Sequence, residues 1–320
     1  MGNKRNDNSP YVYSNIYMRS IHYYTGDKGL SIPIEENDYK KKYEIMKLSV
    51  ITVNFNHKEG LKNTINSVIC QKDFDDYEFI VIDGGSTDGS KDVIVENSSR
   101  ISYWVSEKDG GIYNGMNKGI KVAKGEYLIF MNSGDTFYND HVLADVFYQN
   151  CEAEFIVGNH VVDKDVHYSP KVVTCRYMFK TALYHQATFI KASNFKDQLY
   201  DERYKIVADW AHMFRRLIVD NASYQYVDVI VCRCEEGGIS ATHWQDVLRE
   251  RQDYLKTILP ERIYNDYNKH FMETQFSKCP KDIIEGIQQI CNGGKMEKVL
   301  RQFMELLLRI KGAFSKKDRN

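Results

Sequence analysis

The sequence predicts an α/β fold built on a mostly parallel sheet, and three observations carry that prediction. Between Leu48 and Met131 four short apolar runs alternate with stretches of helical spacing. The runs are rich in β-branched and aromatic residues and stop abruptly in small or polar ones. Acidic residues then follow the second, third and fourth runs, at Asp83, Asp109 and Asp135. Runs that are apolar throughout suit strands buried on both faces, and strands alternating with helices form right-handed parallel units.

In order, residues 48–53 read as the first strand, and Leu61, Ile65, Val68 and Ile69 recur at the spacing of a helix face. Residues 79–82 form a second strand ending at Asp83, followed by a helix from about Asp88 that turns Val93 and Ile94 inward. Residues 101–105 are a third strand, 112–123 a helix and 127–131 the fourth strand. Beyond it the pattern is less regular: strands at 155–157, 161–162, 186–190 and 224–234, a helix at 206–219, and mainly helical sequence from Trp244. The expected division is an N-terminal extension (1–47), the α/β domain (48–240) and a C-terminal helical region (241–320). The extension is polar and tyrosine-rich without a sustained period, which leaves both a disordered arm and one packed on the domain open.

Composition narrows the function. With 42% hydrophobic and 13% aromatic residues the chain builds a substantial core. Its 43 basic and 44 acidic side chains give a net charge of −1, so there is no global field to steer nucleic acid. Seven cysteines without regular spacing point to reduced thiols and a cytoplasmic location, and Cys232 and Cys234 read as packing residues. No apolar run approaches the ~20 residues that span a bilayer.

Ligands of parallel sheets bind beyond the carboxyl ends of the strands, so Asp83, Asp109 and Asp135 are either helix caps or parts of one site. Gly84 and Gly89 have P-loop spacing, but Ser90-Lys91 follows where lysine then serine is needed, and no G-x-G-x-x-G follows the first strand. A nucleotide site without a glycine cradle needs a hard cation, magnesium or manganese, on one or two carboxylates and the phosphates, and Asp135 suits that arrangement.

An ordered set of segments between Leu48 and Ser240 resembles the inverting nucleotide-sugar glycosyltransferases of family 2, which have the GT-A fold. It comprises Ser49-Val50-Ile51-Thr52-Val53-Asn54-Phe55-Asn56, then Val81-Ile82-Asp83-Gly84-Gly85-Ser86-Thr87-Asp88-Gly89, then Ser106 through Gly119. Gly125 through Asp135, His185-Gln186-Ala187, Ala208-Asp209-Trp210 and Gly237-Gly238-Ile239-Ser240 complete it. The resemblance implies a GT-A sheet, Rossmann-like and mostly parallel, flanked by helices. It implies that Thr52, Val53 and Asn56 border the base and ribose, that Asp83 bonds the base, and that Asp109 and Asn117 lie along the nucleoside. Asp135 matches the metal-holding carboxylate, His185 lies by the metal and diphosphate, and Asp209 matches the catalytic base. Gly134 stands in the nucleotide-sugar site where many members carry a second aspartate, leaving the metal, Mn2+ or Mg2+, one carboxylate short.

The resulting expectation is metal-dependent, inverting transfer of a sugar from a nucleotide-diphosphate sugar, a UDP-sugar foremost, to a glycan or lipid-linked acceptor in surface polysaccharide synthesis. The alternative is a non-catalytic sugar-nucleotide or glycan-binding protein on the same scaffold. Near the C-terminus Met296, Val299, Leu300, Phe303, Leu306, Leu307 and Ile310 mark an apolar helix face among eight Lys or Arg and three Asp or Glu in residues 295–320. Such a face either lies on an anionic membrane surface or packs on the domain or a second copy.

Overall fold

A computed structural model of the chain describes residues 46–276. The expectations for residues 1–45 and for the apolar helix face from Met296 to Ile310 lie outside the described residues.

The strands are β1 (Leu48–Asn54), β2 (Tyr77–Asp83), β3 (Tyr103–Ser106), β4 (Tyr127–Phe130), β5 (Thr136–Phe137), β6 (Phe155–Val162), β7 (Asp165–His167), β8 (Thr188–Lys191) and β9 (Tyr224–Cys234). The helices are α1 (Lys58–Ile69), α2 (Ser90–Glu96), α3 (Ile112–Val122), α4 (Val142–Phe147), α5 (Cys175–Lys180), α6 (Ala208–Phe214), α7 (Ile239–Thr242), α8 (Trp244–Ile258) and α9 (Glu261–Phe276). Among the described residues these nine strands form one mixed sheet in the order β3-β2-β1-β4-β8-β6-β9-β5, with β7 on β6. The first four strands are parallel, as the alternating pattern predicts, while β8, β7 and β5 run antiparallel to their neighbours.

Successive strand residues alternate between two cores, which is why the runs are apolar throughout. Val50 and Leu48 face Leu61, Ile65 and Val68 of α1 on one side. Ile51 and Val53 face Met116 of α3, and Trp210 and Phe214 of α6, on the other. Tyr254 and Leu255 of α8 and Tyr264 of α9 join this second core, so these helices extend the domain's own packing.

Several boundaries differ from the sequence reading, each for a local reason. The pieces expected at 155–157 and 161–162 are one strand, because β9 runs parallel to β6 along its length with register shifts around Asn159. Residues 185–187 form a single 3-10 turn before β8. The helix expected at 206–219 begins at Ala208 and ends as a π-helical turn at Arg215–Val219.

The order of the parallel strands places the site. The chain leaves β1 toward β2 and β3, then returns to β4 on the other side of β1, so the connections diverge from between β1 and β4. Ligands of open α/β sheets bind in the crevice outside such a switch point. Its walls are Asn54 at the end of β1 and the loop from Asn132 to Asp135 after β4.

Candidate active site

In the parallel register Asn54 stands beside Asp83, and Asp83 beside Ser106. The buried Asp83 carboxylate accepts from Asn54 Nδ2 (2.7 Å), the Ser86 amide (3.0 Å), Ser86 Oγ (2.6 Å) and Ser106 Oγ (2.7 Å). Burial alone would push this carboxyl up, but the Ser86, Ser106 and Asn54 hydrogen bonds outweigh it and hold the group below the usual carboxylate range. Two carboxylate oxygens offer about four lone-pair positions. The four donors match these positions, and together they fix the loop after β2 at the rim. Replacing Asp83 with Ala strands these donors in a buried site; we expect a loss of about 3 kcal/mol in urea unfolding.

From Asp83 the hydrogen bonds continue across the switch point. The Asn54 oxygen accepts from Ser133 Oγ at 2.8 Å. Next to Ser133, Asn132 Nδ2 lies 3.1 Å from His185 Nε2, and His185 Nδ1 is 2.7 Å from Asp209 Oδ2. The other Asp209 oxygen, Oδ1, meets the Tyr113 hydroxyl at 2.8 Å, which also reaches the Ile206 carbonyl at 2.7 Å. Asp83 and Asp209, 126 positions apart in the sequence, thus border one rim. Asp135 joins through the residue after His185, since its Oδ2 accepts from Gln186 Nε2 at 3.0 Å. Its Oδ1 accepts from the Glu235 amide at 3.0 Å, so it ties the switch-point loop to the end of β9 and caps no helix. Burial pushes the Asp135 carboxyl up, against the pull of the Glu235 and Gln186 hydrogen bonds and the His185 charge.

Asp109 also faces this rim. Its Oδ1 accepts from the Gly111 amide at 2.9 Å, and its Oδ2 lies 2.9 Å from where a side chain on Gly84 would begin. Asn56, in a left-handed conformation at φ 49°, accepts the Thr87 amide at 2.8 Å, while its own amide donates to Ser86 Oγ at 2.7 Å. Val53 packs below the rim, against the face of α3 at Gly115. Two expected contact residues stand apart. The Thr52 hydroxyl donates to the Met131 carbonyl inside the sheet. The buried Asn117 amide bonds Tyr200 and Glu202 on both its ends, so it anchors the loop before α6 instead of opening on the crevice.

His185, expected beside a metal, has both ring nitrogens turned to protein groups, Asp209 and Asn132. Burial disfavours its charge, yet the hydrogen bond and charge of Asp209 prevail and raise its pKa above the ordinary 6.5. Burial likewise pushes the Asp209 carboxyl up, and the His185 and Tyr113 hydrogen bonds more than offset it, leaving the group below its ordinary 3.8. The signs fix a pH window. The raised His185 contributes stability that is lost as pH climbs through its folded pKa above 6.5, and the depressed Asp209 contributes stability that is lost as pH falls through its folded pKa below 3.8. Both side chains are only 15% exposed. We expect His185→Gln to cost about 3 kcal/mol near pH 6, and less near pH 9, in paired urea titrations.

Asp209 is held by Trp210 of its own segment and by Glu250 and Arg251 of α8, which sequence reading does not single out. In the first turn of α6, Trp210 beside it anchors the helix by donating to the carbonyls of Met178 (2.9 Å) and Thr181 (3.1 Å). Glu250 of α8 accepts from the amides of Lys205, Ile206 and Val207 at 2.9, 2.9 and 3.3 Å, satisfying donors ahead of the helix. The Arg251 guanidinium lies over the Trp210 ring at 4.6 Å, its pKa lowered by burial to about 10 and pulled upward by Asp209 and Tyr113. Arg215 and Arg216 pair with Asp220 and, for Arg216, also Asp197, so the arginines of Asp209's own helix take other acids.

The switch-point loop is the candidate place for a divalent cation. Among the described residues no three His, Cys, Asp or Glu side chains gather as a closed cage. An open site completed by phosphate oxygens needs only one or two carboxylates. The loop fits such a site: Asp135 lies on it, Asn132 Oδ1 is buried without a protein partner, and the space a side chain on Gly134 would enter is filled by the Glu235 carboxylate.

The fold is thus of the α/β class, on one mixed sheet, with Asp83, Asp109, Asp135 and Asp209 around its switch point. The Glycosyl transferase family 2 description matches residues 49–195. A PGL/p-HBAD biosynthesis glycosyltransferase of Mycobacterium bovis is 30% identical over 176 residues, 52% of this chain and 69% of that protein. An uncharacterised glycosyltransferase of Mycobacterium tuberculosis is 43% identical over 97 residues, 30% of this chain and 37% of the relative's own length. The chain belongs to glycosyltransferase family 2. Its fold is GT-A: TarS of S. aureus, solved with UDP-GlcNAc, superposes with a TM-score of 0.57 at 19% identity over 73% of each chain. The mannosyltransferase PcManGT of Pyrobaculum calidifontis, in complex with GDP-Man and Mn2+, superposes at 0.55 with 12% identity over 82% of this chain and 80% of that one.

Proposed function

We propose that this chain is an inverting glycosyltransferase that moves a sugar from a nucleotide-diphosphate sugar, a UDP-sugar in the first instance, to a hydroxyl of a glycan or lipid-linked acceptor. The observation that carries this reading is the hydrogen-bonded run from Asp83 through Asn54 and Ser133, then Asn132 and His185, to Asp209. It joins a base-side loop to an ionised carboxylate across one crevice.

In this reading the nucleoside lies over the loops held by Asp83, Asn56 and Asp109, with Val53 beneath, and the diphosphate lies at Asn132–Asp135. The acceptor hydroxyl attacks the anomeric carbon as the bond from that carbon to the diphosphate oxygen breaks, and the nucleoside diphosphate leaves with the electron pair. Asp209 takes the hydroxyl proton, a contribution of about 10² to 10⁴ in rate. His185 and Tyr113 position Asp209 and keep it charged until the acceptor arrives. Asp135, with the Gly134 segment, would hold Mn2+ or Mg2+, which when bound stabilises charge on the leaving diphosphate as a Lewis acid.

A role in surface polysaccharide synthesis on the cytoplasmic side agrees with the free thiols of the described cysteines. No helix among the described residues is long and apolar enough to cross a membrane. A thermal-shift panel of nucleoside diphosphates, with and without manganese, tests the reading. UDP and manganese together should raise the melting temperature beyond either alone, and a flat response to every nucleotide would remove the proposal.

A further inference from the structure

We infer that Glu235 supplies the second carboxylate of the cation site, in the place left open at Gly134. The inference rests on the glycosyltransferase reading above and concerns where that site obtains its charge.

Gly134 has φ +101°, a backbone region that side chains rarely adopt. A Cβ built on it would stand 2.1 Å from Glu235 Oε2 and 2.5 Å from Glu235 Cδ. The carboxylate of Glu235 thus occupies the volume into which an aspartate at 134 would project. This approach is built by the fold: β5 pairs with β9 through Thr136↔Arg233 and Phe137↔Cys232. Beyond that register the Glu235 amide donates to Asp135 Oδ1 at 3.0 Å. The side chain is held from a third direction, with its Oε1 3.3 Å from Nε2 of His57, whose Nδ1 lies 3.3 Å from the Ser133 carbonyl.

The backbone bond therefore joins the two acids directly, and the switch-point loop between them carries the orphaned Asn132 Oδ1. Unlike the buried Asp135, the Glu235 side chain is 49% exposed and so accessible to an arriving cation and diphosphate. Two carboxylates, one buried on the switch-point loop and one open to solvent, match in number what a magnesium or manganese ion takes from protein when phosphates supply other ligands.

The test uses the full chain with manganese as the probe, following free Mn2+ by electron paramagnetic resonance in the presence of UDP, and UDP binding without metal by calorimetry. Glu235→Gln keeps size and polarity but removes the charge. It should weaken Mn2+ binding about tenfold or more while leaving melting temperature and metal-free UDP binding unchanged. Gly134→Ala reaches the same place from the other side, since its methyl group must expel the Glu235 head group, and it should show the same loss. Wild-type affinity in Glu235→Gln, with UDP and Mn2+ binding intact in the parent chain, overturns this inference and leaves the glycosyltransferase reading standing. A parent chain that binds no nucleotide with or without manganese removes both.

Discussion

Asp209→Asn should bind UDP and manganese as the parent chain does and lose sugar transfer by about 10² to 10⁴-fold, the range removed with a positioned general base. Asparagine preserves the shape of the side chain, so the Tyr113 hydroxyl at 2.8 Å and the His185 ring at 2.7 Å keep a polar partner and α6 stays in place. Only the capacity to accept a proton disappears. The loops proposed to hold the nucleotide lie beyond Asn132 and Ser133, which is why binding should survive. Released UDP, counted under saturating donor and acceptor, measures the effect, and transfer at the parent rate would eliminate Asp209 as the base. The His185 pair adds a second signature. A carboxylate bonded to an imidazolium is a weak base, so transfer should rise with pH as the raised His185 loses its proton, and His185→Gln should abolish that rise.

Asp135→Asn is expected to have the opposite profile, losing manganese-dependent UDP binding by at least about tenfold while metal-free binding changes little. Its two oxygens accept from the Glu235 amide and Gln186 Nε2, each at 3.0 Å, and an asparagine can satisfy one of these while removing the charge. The residue is only 6% exposed, so truncation to Ala would confuse loss of charge with loss of packing. Calorimetric titration of UDP with and without Mn2+ separates the two contributions. Equal manganese enhancement in variant and parent would place the cation elsewhere.

The parts of this site that sequence reading finds are those in which local pattern fixes position. A strand that ends in an acid delivers it to the rim, and Asp83 and Asp135 follow that logic. Strand β9 coincides from end to end with the expected 224–234, although its pairing with β6 shifts register around Asn159. What sequence reading leaves out depends on pairings between distant segments. Glu235 reaches Gly134 only because β5 joins β9, Tyr113 reaches Asp209 because α3 and α6 share a core, and Glu250 reaches the amides before α6 across a helix contact. The protein partners of Asp83 and His185 are likewise set by distant segments: the carboxylate is hydrogen-bonded by Asn54, Ser86 and Ser106, and the imidazole by Asp209 and Asn132.

The three amides gathered by Glu250 tie the segment ahead of Asp209 to α8, late in the chain. The family match ends at residue 195, before Asp209, Glu235 and Glu250, so it takes in His185 and the loops proposed to hold the donor but not the proposed proton acceptor. On the proposed roles, a chimera that grafts residues 49–195 onto another member's later portion should keep the nucleotide preference of the grafted part, which binding of a nucleoside diphosphate panel would check. Its turnover would then depend on whether the borrowed helix lines up a carboxylate with the resident histidine.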